Sequence, residues 1–133
     1  MTYQYMLDTN IVSELIRNPG GKAYQKVFDV GSTRICTSII VACELKFGIL
    51  KRQSYRLSAQ VNSVLSTLTV LPLDSPVDER YAEARAQLER RGLPIGNNDL
   101  LIAAHALALD LTLVTANVRE FRRVEGLRVE NWL

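Results

Sequence analysis

Short apolar runs alternate with longer segments of helical periodicity along this chain of 133 residues. The strand-like runs fall at 3–7, 34–37, 69–71, 111–114 and 127–129. Parallel strands are joined by a crossover, usually a helix, so this alternation favours a parallel sheet covered by helices. The sequence shows no repeat, low-complexity tract or linker. It therefore predicts one α/β domain over residues 1–133, with a central mainly parallel sheet and helices on both faces.

Residues that favour helix caps and turns lie at both ends of the helical segments. The predicted helices cover 11–17, 22–30, 39–51, 54–68, 76–91, 97–109 and 118–124. Ser38 can cap the third helix, and Ser75 followed by Pro76 is typical of a cap and a first helical position. Before the sixth helix, Gly96 allows the chain to turn, and Asn97 or Asn98 can cap the free amides.

The sixth helix carries one carboxylate, Asp99, in its first turn. The helix dipole favours an acidic residue there, which is a sufficient structural explanation. Its neighbours on the same helix face, Ile95, Ile102 and Ala103, are apolar, so we expect the side chain to face a packed region. A carboxylate in such a place is costly unless a positive group meets it.

Two further carboxylates, Asp8 and Glu44, are predicted to lie near Asp99 at one edge of the sheet. Asp8 follows the first strand, where it can also act as a helix cap. Glu44 lies on the third helix, where Ile40, Val41 and Phe47 give it an apolar face that tolerates a charge only if it is paired or bound to metal. Ligands of parallel sheets gather at the carboxyl ends of the strands, so we expect the three acidic groups to meet there.

Carboxylates without a nearby thiolate or imidazole suit Mg²⁺ or Mn²⁺ rather than zinc. Such an ion can orient a phosphodiester and activate water, so that no protein nucleophile is needed. The turn with Thr115 and Asn117 follows the fourth strand and could hold a water bound to the metal. Glu120 has the capping-box spacing from Asn117, so a structural role and a site role both stay open.

The only histidine, His105, lies six positions after Asp99. On a helix that spacing turns it about 240° around the axis, so we do not expect it to act as a general base. Cys36 and Cys43 have no CxxC spacing, and buried free thiols are predicted for both.

The charge balance is 16 basic against 14 acidic residues, which is compatible with nucleic-acid binding without predicting it. A few basic residues near the acidic edge could steer a phosphate backbone. The candidates are Lys46, Lys51, Arg52, Arg56, Arg119, Arg122 and Arg123. The N-terminus lacks a signal-peptide pattern, and no apolar run reaches the roughly 18 residues that a membrane span needs. We therefore expect a cytoplasmic protein without a membrane contact.

Four segments resemble, in order, the motifs of PIN-domain ribonucleases, specifically the VapC toxins of VapBC toxin–antitoxin pairs. They are Met-Leu-Asp-Thr-Asn at 6–10, Ser38 with Glu44 six residues on, Ile-Gly-Asn-Asn-Asp-Leu-Leu-Ile-Ala-Ala at 95–104, and Thr-Ala-Asn-Val-Arg-Glu-Phe at 115–121. The resemblance implies a three-layer α/β/α PIN fold and endonucleolytic cleavage of RNA that depends on Mg²⁺ or Mn²⁺.

The resemblance also assigns roles to individual positions. It implies that Asp8, Glu44 and Asp99 form the acidic, metal-binding catalytic site, with Thr115 and Asn117 on its rim. Many PIN domains have an aspartate where this chain has Asn117. That difference raises the prospect that Glu120 supplies the fourth carboxylate, and whether one or two metals bind stays open.

The partners implied by the resemblance are an RNA substrate, a cognate VapB antitoxin and a second copy of the chain. Similar VapC toxins cleave initiator tRNA in its anticodon loop, so tRNA is the favoured substrate. The implied toxin would inhibit translation until the antitoxin blocks its acidic groove. The expected state is a homodimer, and further assembly with the antitoxin is left open.

Two alternatives differ in chemistry. A phosphatase of the haloacid-dehalogenase type would use Asp8 as its nucleophile, but it wants a second aspartate where Asn10 stands and a lysine for which the sequence has no good candidate. A non-catalytic PIN-like binding module would keep only partner binding, and the presence of Asp8, Glu44 and Asp99 argues against it.

Overall fold

The computed structural model describes residues 2–133 and contains a five-stranded sheet. The strands are β1 (Tyr5–Leu7), β2 (Ile35–Ser38), β3 (Thr69–Leu71), β4 (Thr112–Val114) and β5 (Val129–Glu130). Their order across the sheet is β3-β2-β1-β4-β5, and every neighbouring pair is parallel. The predicted parallel α/β architecture is therefore confirmed.

Seven α-helices lie between the strands. They are α1 (Thr9–Arg17), α2 (Lys22–Val30), α3 (Ile39–Arg52), α4 (Tyr55–Thr67), α5 (Val77–Arg90), α6 (Asn97–Ala108) and α7 (Val118–Phe121). Each predicted helix is present, although α7 ends three residues earlier than expected. None of the helices within residues 2–133 is both long and apolar enough to cross a membrane.

The strand order places the helices on two faces of the sheet. From β1 to β3 the chain moves across the sheet in one direction, and from β3 to β5 it returns in the other. Because parallel crossovers are right-handed, the helices of the two halves cover opposite faces and complete the three layers. The strand order reverses between β1 and β4, and this reversal is where ligands bind in open α/β sheets.

The centre of the sheet is buried on both sides. Met6 and Leu7 of β1 and Leu113 and Val114 of β4 have no solvent exposure. In the sequence, strands that are buried on both sides appear as continuous apolar runs, so these two strands could be predicted. In the register of the two strands Leu7 pairs with Val114, so the residues that follow them, Asp8 and Thr115, emerge side by side.

A buried polar contact ties α6 to the start of α3. Ser38 caps α3 as predicted, accepting a hydrogen bond from the Ile40 amide at 3.1 Å. The same hydroxyl shares a 2.9 Å hydrogen bond with Nδ1 of His105, which is 1% exposed. Burial lowers the pKa of His105. The histidine therefore has a packing partner, Ser38, and this contact holds two site-bearing helices together.

Two predicted caps are wrong. Helix α5 begins at Val77, and Ser75 does not cap it; the preceding turn is closed by Asp74, whose carbonyl accepts from the Val77 amide at 2.9 Å. The Asp74 carboxylate also accepts from the Ser75 amide at 2.9 Å, and the cap position falls on Pro76, which makes no side-chain cap bond. At α6, Asn97 is already helical, and the cap position falls on Gly96, which has no side chain to offer.

Two residues of α3 that were expected to be buried, Cys43 and Phe47, are exposed. Cys36 is a buried thiol, and burial raises its pKa to about 12, but Cys43 is exposed. Phe47, predicted to share an apolar face with Glu44, is 65% exposed. The inward face of the helix is formed by Val41 and Leu45 instead. Cys43 and Phe47 are four residues apart, so they share the outward face.

Ser38 and Ser54 both cap helices, but their replacement by alanine is predicted to lower the free energy of unfolding by different amounts. Ser54 also caps its helix, accepting from the Leu57 amide at 3.1 Å. We expect Ser54→Ala to cost about 1 kcal/mol of unfolding free energy, the usual loss for a cap. Ser38→Ala should cost about 2–3 kcal/mol, because it also removes a buried partner of His105. Urea denaturation measures both; equal losses would contradict the packing role of the His105 contact.

Candidate active site

Asp8 occupies the point where the strand order reverses, and it acts both as a helix cap and as a buried carboxylate. Its Oδ1 accepts from the Thr9 amide at 2.8 Å, and its Oδ2 accepts from the Thr115 hydroxyl at 2.8 Å and from Asn10 Nδ2 at 3.3 Å. The residue is 3% exposed. Burial raises the pKa of Asp8, and the charge of Glu44 adds to that rise, while the hydrogen bonds oppose it.

Glu44 projects from α3, which leaves the same edge of the sheet as α1. Its Oε1 accepts from the Thr9 hydroxyl at 2.5 Å. Thr9 therefore contacts one acidic group through its amide and another through its hydroxyl. The contact of Thr9 with Glu44 depends on how α1 and α3 pack, which the local sequence does not report.

Asp99 is half-buried in the first turn of α6. Its pKa is raised to about 6, first by burial and then by the charges of Asp8, Glu120 and Glu44. Glu120 contributes to this rise, so its carboxyl group lies close to that of Asp99. The charges of Asp8 and Glu44 therefore act on Asp99 together with that of Glu120, for which the sequence left a site role open. We call these four groups the acidic cluster.

The turn after β4 reaches from Asp8 to Glu120. Thr115 is fully buried, and its hydroxyl accepts from the Asn117 amide at 3.0 Å while donating to Asp8. Asn117 Nδ2 donates to Glu120 Oε2 at 2.6 Å. The Asn117 side chain does not accept a hydrogen bond from an amide of α7, so Asn117 and Glu120 do not form the predicted capping box. Their side chains bond each other instead, and the Glu120 carboxylate lies beside Asp99.

The acidic cluster has no cationic side chain to neutralise it among residues 2–133. The four ion pairs in this part of the chain lie elsewhere, at Glu14–Arg17, Arg80–Glu83, Arg85–Glu89 and Asp110–Arg128. The nearby positive groups are Arg17 and Arg52, which line a groove of about 230 Å³ together with Glu44. Arg52 was among the predicted basic candidates, and Arg17 was not.

The donor set of the cluster fits a hard divalent cation. Carboxylate oxygens are ligands that Mg²⁺ and Mn²⁺ prefer, and a bound cation would relieve the repulsion that raises the pKa of Asp99. Within residues 2–133, no three acidic, histidine or cysteine side chains are close enough together to hold a metal ion by themselves. Mg²⁺ typically keeps several waters and uses one or two carboxylates plus substrate phosphates, so an open site of this kind suits it.

The PIN domain family matches residues 5–127, a span that contains the whole acidic cluster. Ribonuclease VapC2 of Rickettsia felis is 39% identical over 130 residues, covering 96% of this chain and 97% of that protein. The tRNA(fMet)-specific endonuclease VapC of Shigella flexneri is 37% identical over 130 residues, covering 97% of this chain and 98% of that protein.

Solved structures agree with these matches. VapBC2 from Rickettsia felis, bound to a DNA fragment from its promoter, has a TM-score of 0.86 at 39% identity and covers 97% of this chain and 98% of that one. DNA-bound VapBC from Salmonella typhimurium has a TM-score of 0.88 at 34% identity, covering 99% and 100%. The chain therefore belongs to the PIN-domain family and, within it, to the VapC ribonucleases.

The raised pKa of Asp99 predicts a pH-dependent change in stability. In the unfolded chain an aspartate titrates near 3.9, whereas in the folded protein Asp99 titrates at about 6. Between about pH 4 and pH 6 the carboxyl group is ionised in the unfolded chain but still protonated in the folded protein. The free energy of unfolding therefore falls as pH rises through this range, and the loss is complete above pH 6. The full shift corresponds to about 3 kcal/mol, which solvent screening at this half-exposed site reduces to about 1 kcal/mol.

We expect metal-free Asp99→Asn to be about 1 kcal/mol more stable than the parent chain at pH 7.5 and equally stable below about pH 4. Urea denaturation with chelator present at both pH values measures this. The matched control is Asp29→Asn, at an exposed position on α2, which should stay within about 0.5 kcal/mol throughout. A destabilised Asp99→Asn at pH 7.5 would contradict the electrostatic account of the cluster.

Proposed function

We propose that this chain is the toxin of a type II toxin–antitoxin pair and acts as an endoribonuclease that depends on Mg²⁺ or Mn²⁺. The observation that carries the proposal is the acidic cluster of Asp8, Glu44, Asp99 and Glu120, in a chain of the VapC family. Among residues 2–133 no ion pair neutralises this cluster. Relatives named as ribonuclease VapC2 and tRNA(fMet)-specific endonuclease support RNA as the substrate.

The proposed metal ligands are Asp8, Glu44 and Asp99. When bound, the ion supplies positive charge that orients a phosphodiester and neutralises the leaving oxygen. The hydroxyls of Thr115 and Thr9 hold Asp8 and Glu44 by hydrogen bonds of 2.8 and 2.5 Å, which fixes the direction of both carboxylates. Asp8 Oδ1 and Glu44 Oε1 each accept one hydrogen bond, so each of these oxygens keeps a further lone pair for a ligand.

We assign the fourth acidic role to Glu120 and a supporting role to Asn117. The Asn117 side chain is neutral, so it cannot offset the charge of a cation, and its Nδ2 donates a hydrogen bond to Glu120 at 2.6 Å. The Glu120 carboxylate adds to the negative charge felt by Asp99. Asn117 then orients the carboxylate that replaces the aspartate found in many PIN domains.

The proposed substrate is tRNA, with the initiator tRNA anticodon loop favoured. The support is the name of the Shigella flexneri relative, a tRNA(fMet)-specific endonuclease. Arg17 and Arg52 line the groove beside Glu44 and are placed to contact phosphates that flank the cleaved bond. Cleavage of tRNA in the cytoplasm would inhibit translation, so we propose a cytoplasmic location.

We propose a cognate VapB antitoxin as the regulatory partner. Solved structural neighbours are VapBC complexes. An apolar groove of about 550 Å³ runs between α1, α2 and α4 and includes Leu15, Tyr24, Phe28 and Val64. Phe28 is 75% exposed, which is unusual for a large aromatic side chain. An apolar segment of the antitoxin would cover this groove, and its adjoining chain would block the acidic cluster.

A second copy of the chain is the proposed structural partner. Phe47 and Leu50 on the outward face of α3 are 65% and 75% exposed, and Tyr55 at the start of α4 is 95% exposed. We infer that these three exposed apolar side chains, which lie within nine residues of one another in the chain, contribute to one surface. Self-association through this surface would give the homodimer, which can assemble further with the antitoxin.

The two alternatives have less support. A haloacid-dehalogenase-type phosphatase would need a free Asp8 nucleophile, but both Asp8 oxygens are held by hydrogen bonds and Asn10 stands where the second aspartate belongs. A non-catalytic binding module would not need four carboxylates gathered at one place. Turnover of small phosphate esters would favour the former, and absence of Mn²⁺ binding would favour the latter.

The proposed activity is tested by mapping new RNA ends in a bacterial RNA pool treated with the purified, antitoxin-free chain. We expect discrete ends that need Mg²⁺ or Mn²⁺ and disappear with chelator. Asp8→Asn should abolish them, and Asp99→Asn should reduce cleavage at least about tenfold by weakening metal binding. Asp29→Asn is the matched control and should cleave normally. Full cleavage by either site variant would remove that residue from the mechanism.

A further inference from the structure

Asn10, in the first turn of α1, connects two motifs that are far apart in the sequence. Its Nδ2 donates to Asp8 Oδ2 at 3.3 Å and to Thr115 Oγ1 at 3.4 Å. Its Oδ1 accepts from the Ala116 amide at 3.0 Å. A backbone amide can only donate, so the Ala116 contact fixes which end of the Asn10 side chain faces the turn. One side chain thus joins the start of α1 to the turn after β4.

The turn that Asn10 holds continues to Glu120. The Asn117 amide donates to Thr115 Oγ1 at 3.0 Å, and Asn117 Nδ2 donates to Glu120 Oε2 at 2.6 Å. Glu120 is in turn one of the charged groups that raise the pKa of Asp99. Hydrogen bonds therefore run without interruption from Asn10, through the turn at 115–117, to the carboxylate at the far side of the acidic cluster.

We propose that Asn10 is a positioning residue that sets the placement of Glu120 relative to Asp8 and thereby the affinity of the acidic cluster for a divalent cation. This inference rests on the proposed function, because the cation is part of that function. Asn10 acts through the turn: its neutral amide supplies a donor toward Asp8 from Nδ2 and an acceptor toward Ala116 from Oδ1. Groups that orient metal ligands are commonly worth ten- to hundredfold in metal affinity.

A double-mutant cycle tests this route directly. Mn²⁺ binding is measured by isothermal titration calorimetry on the antitoxin-free full chain for the parent, Asn10→Ala, Glu120→Gln and the double variant. We expect each single change to weaken Mn²⁺ binding about tenfold. In the Glu120→Gln background, Asn10→Ala should add no more than about a threefold loss, because the carboxylate that it positions is already neutral. Asn62→Ala, at an exposed position on α4, is the matched control and should leave Mn²⁺ affinity unchanged.

Several results would overturn the proposal. Unchanged Mn²⁺ affinity in Asn10→Ala, or fully additive losses in the double variant, would show that Asn10 does not act through Glu120. If Asn10→Ala does not fold by circular dichroism, Asn10→Ser replaces it, since serine suits a first helical turn but does not reach Ala116; undiminished Mn²⁺ affinity in that variant would likewise overturn the proposal. A parent chain that binds no Mn²⁺ would refute the proposed function as well, so the two failures are distinguishable.

Discussion

Mutual repulsion among four carboxylates is the constraint around which this structure is arranged. Asp8, Glu44, Asp99 and Glu120 come from four different helices or strand ends, and burial together with their shared charge raises the pKa of Asp99 to about 6. Such a cluster is held together only because the surrounding fold is rigid. The fully buried strands β1 and β4 and the packing of α6 on α3 through His105 and Ser38 supply that rigidity.

The fold and three of the four acidic groups could be predicted from the sequence. Continuous apolar runs such as the one ending at Leu7 identify buried parallel strands, and helical periodicity between them identifies crossovers. A carboxylate that follows such a strand, as Asp8 does, has to emerge at the carboxyl edge of the sheet. Asp99 lies at the start of the helix before β4, and a helix that returns the chain to the beginning of a parallel strand starts at that same edge.

The remaining features depend on contacts between distant segments, which local pattern does not report. The spacing of Glu120 from Asn117 suits a cap, so the sequence left its role open, and only the folded chain shows that its charge acts on Asp99. The cap position of α5 falls on Pro76 rather than Ser75, because a backbone hydrogen bond from Val77 to Asp74 closes the turn before the helix. The outward position of Phe47 follows from how α3 packs, since Val41 and Leu45 face the core.

The central claim is that the acidic cluster is a site for a divalent cation. Its most direct test is a crystal structure of the antitoxin-free chain soaked in Mn²⁺, with anomalous diffraction measured at the manganese edge. The account predicts an anomalous peak among the carboxylates of Asp8, Glu44, Asp99 and Glu120. A structure with manganese bound elsewhere on the surface and none at these four residues would contradict it.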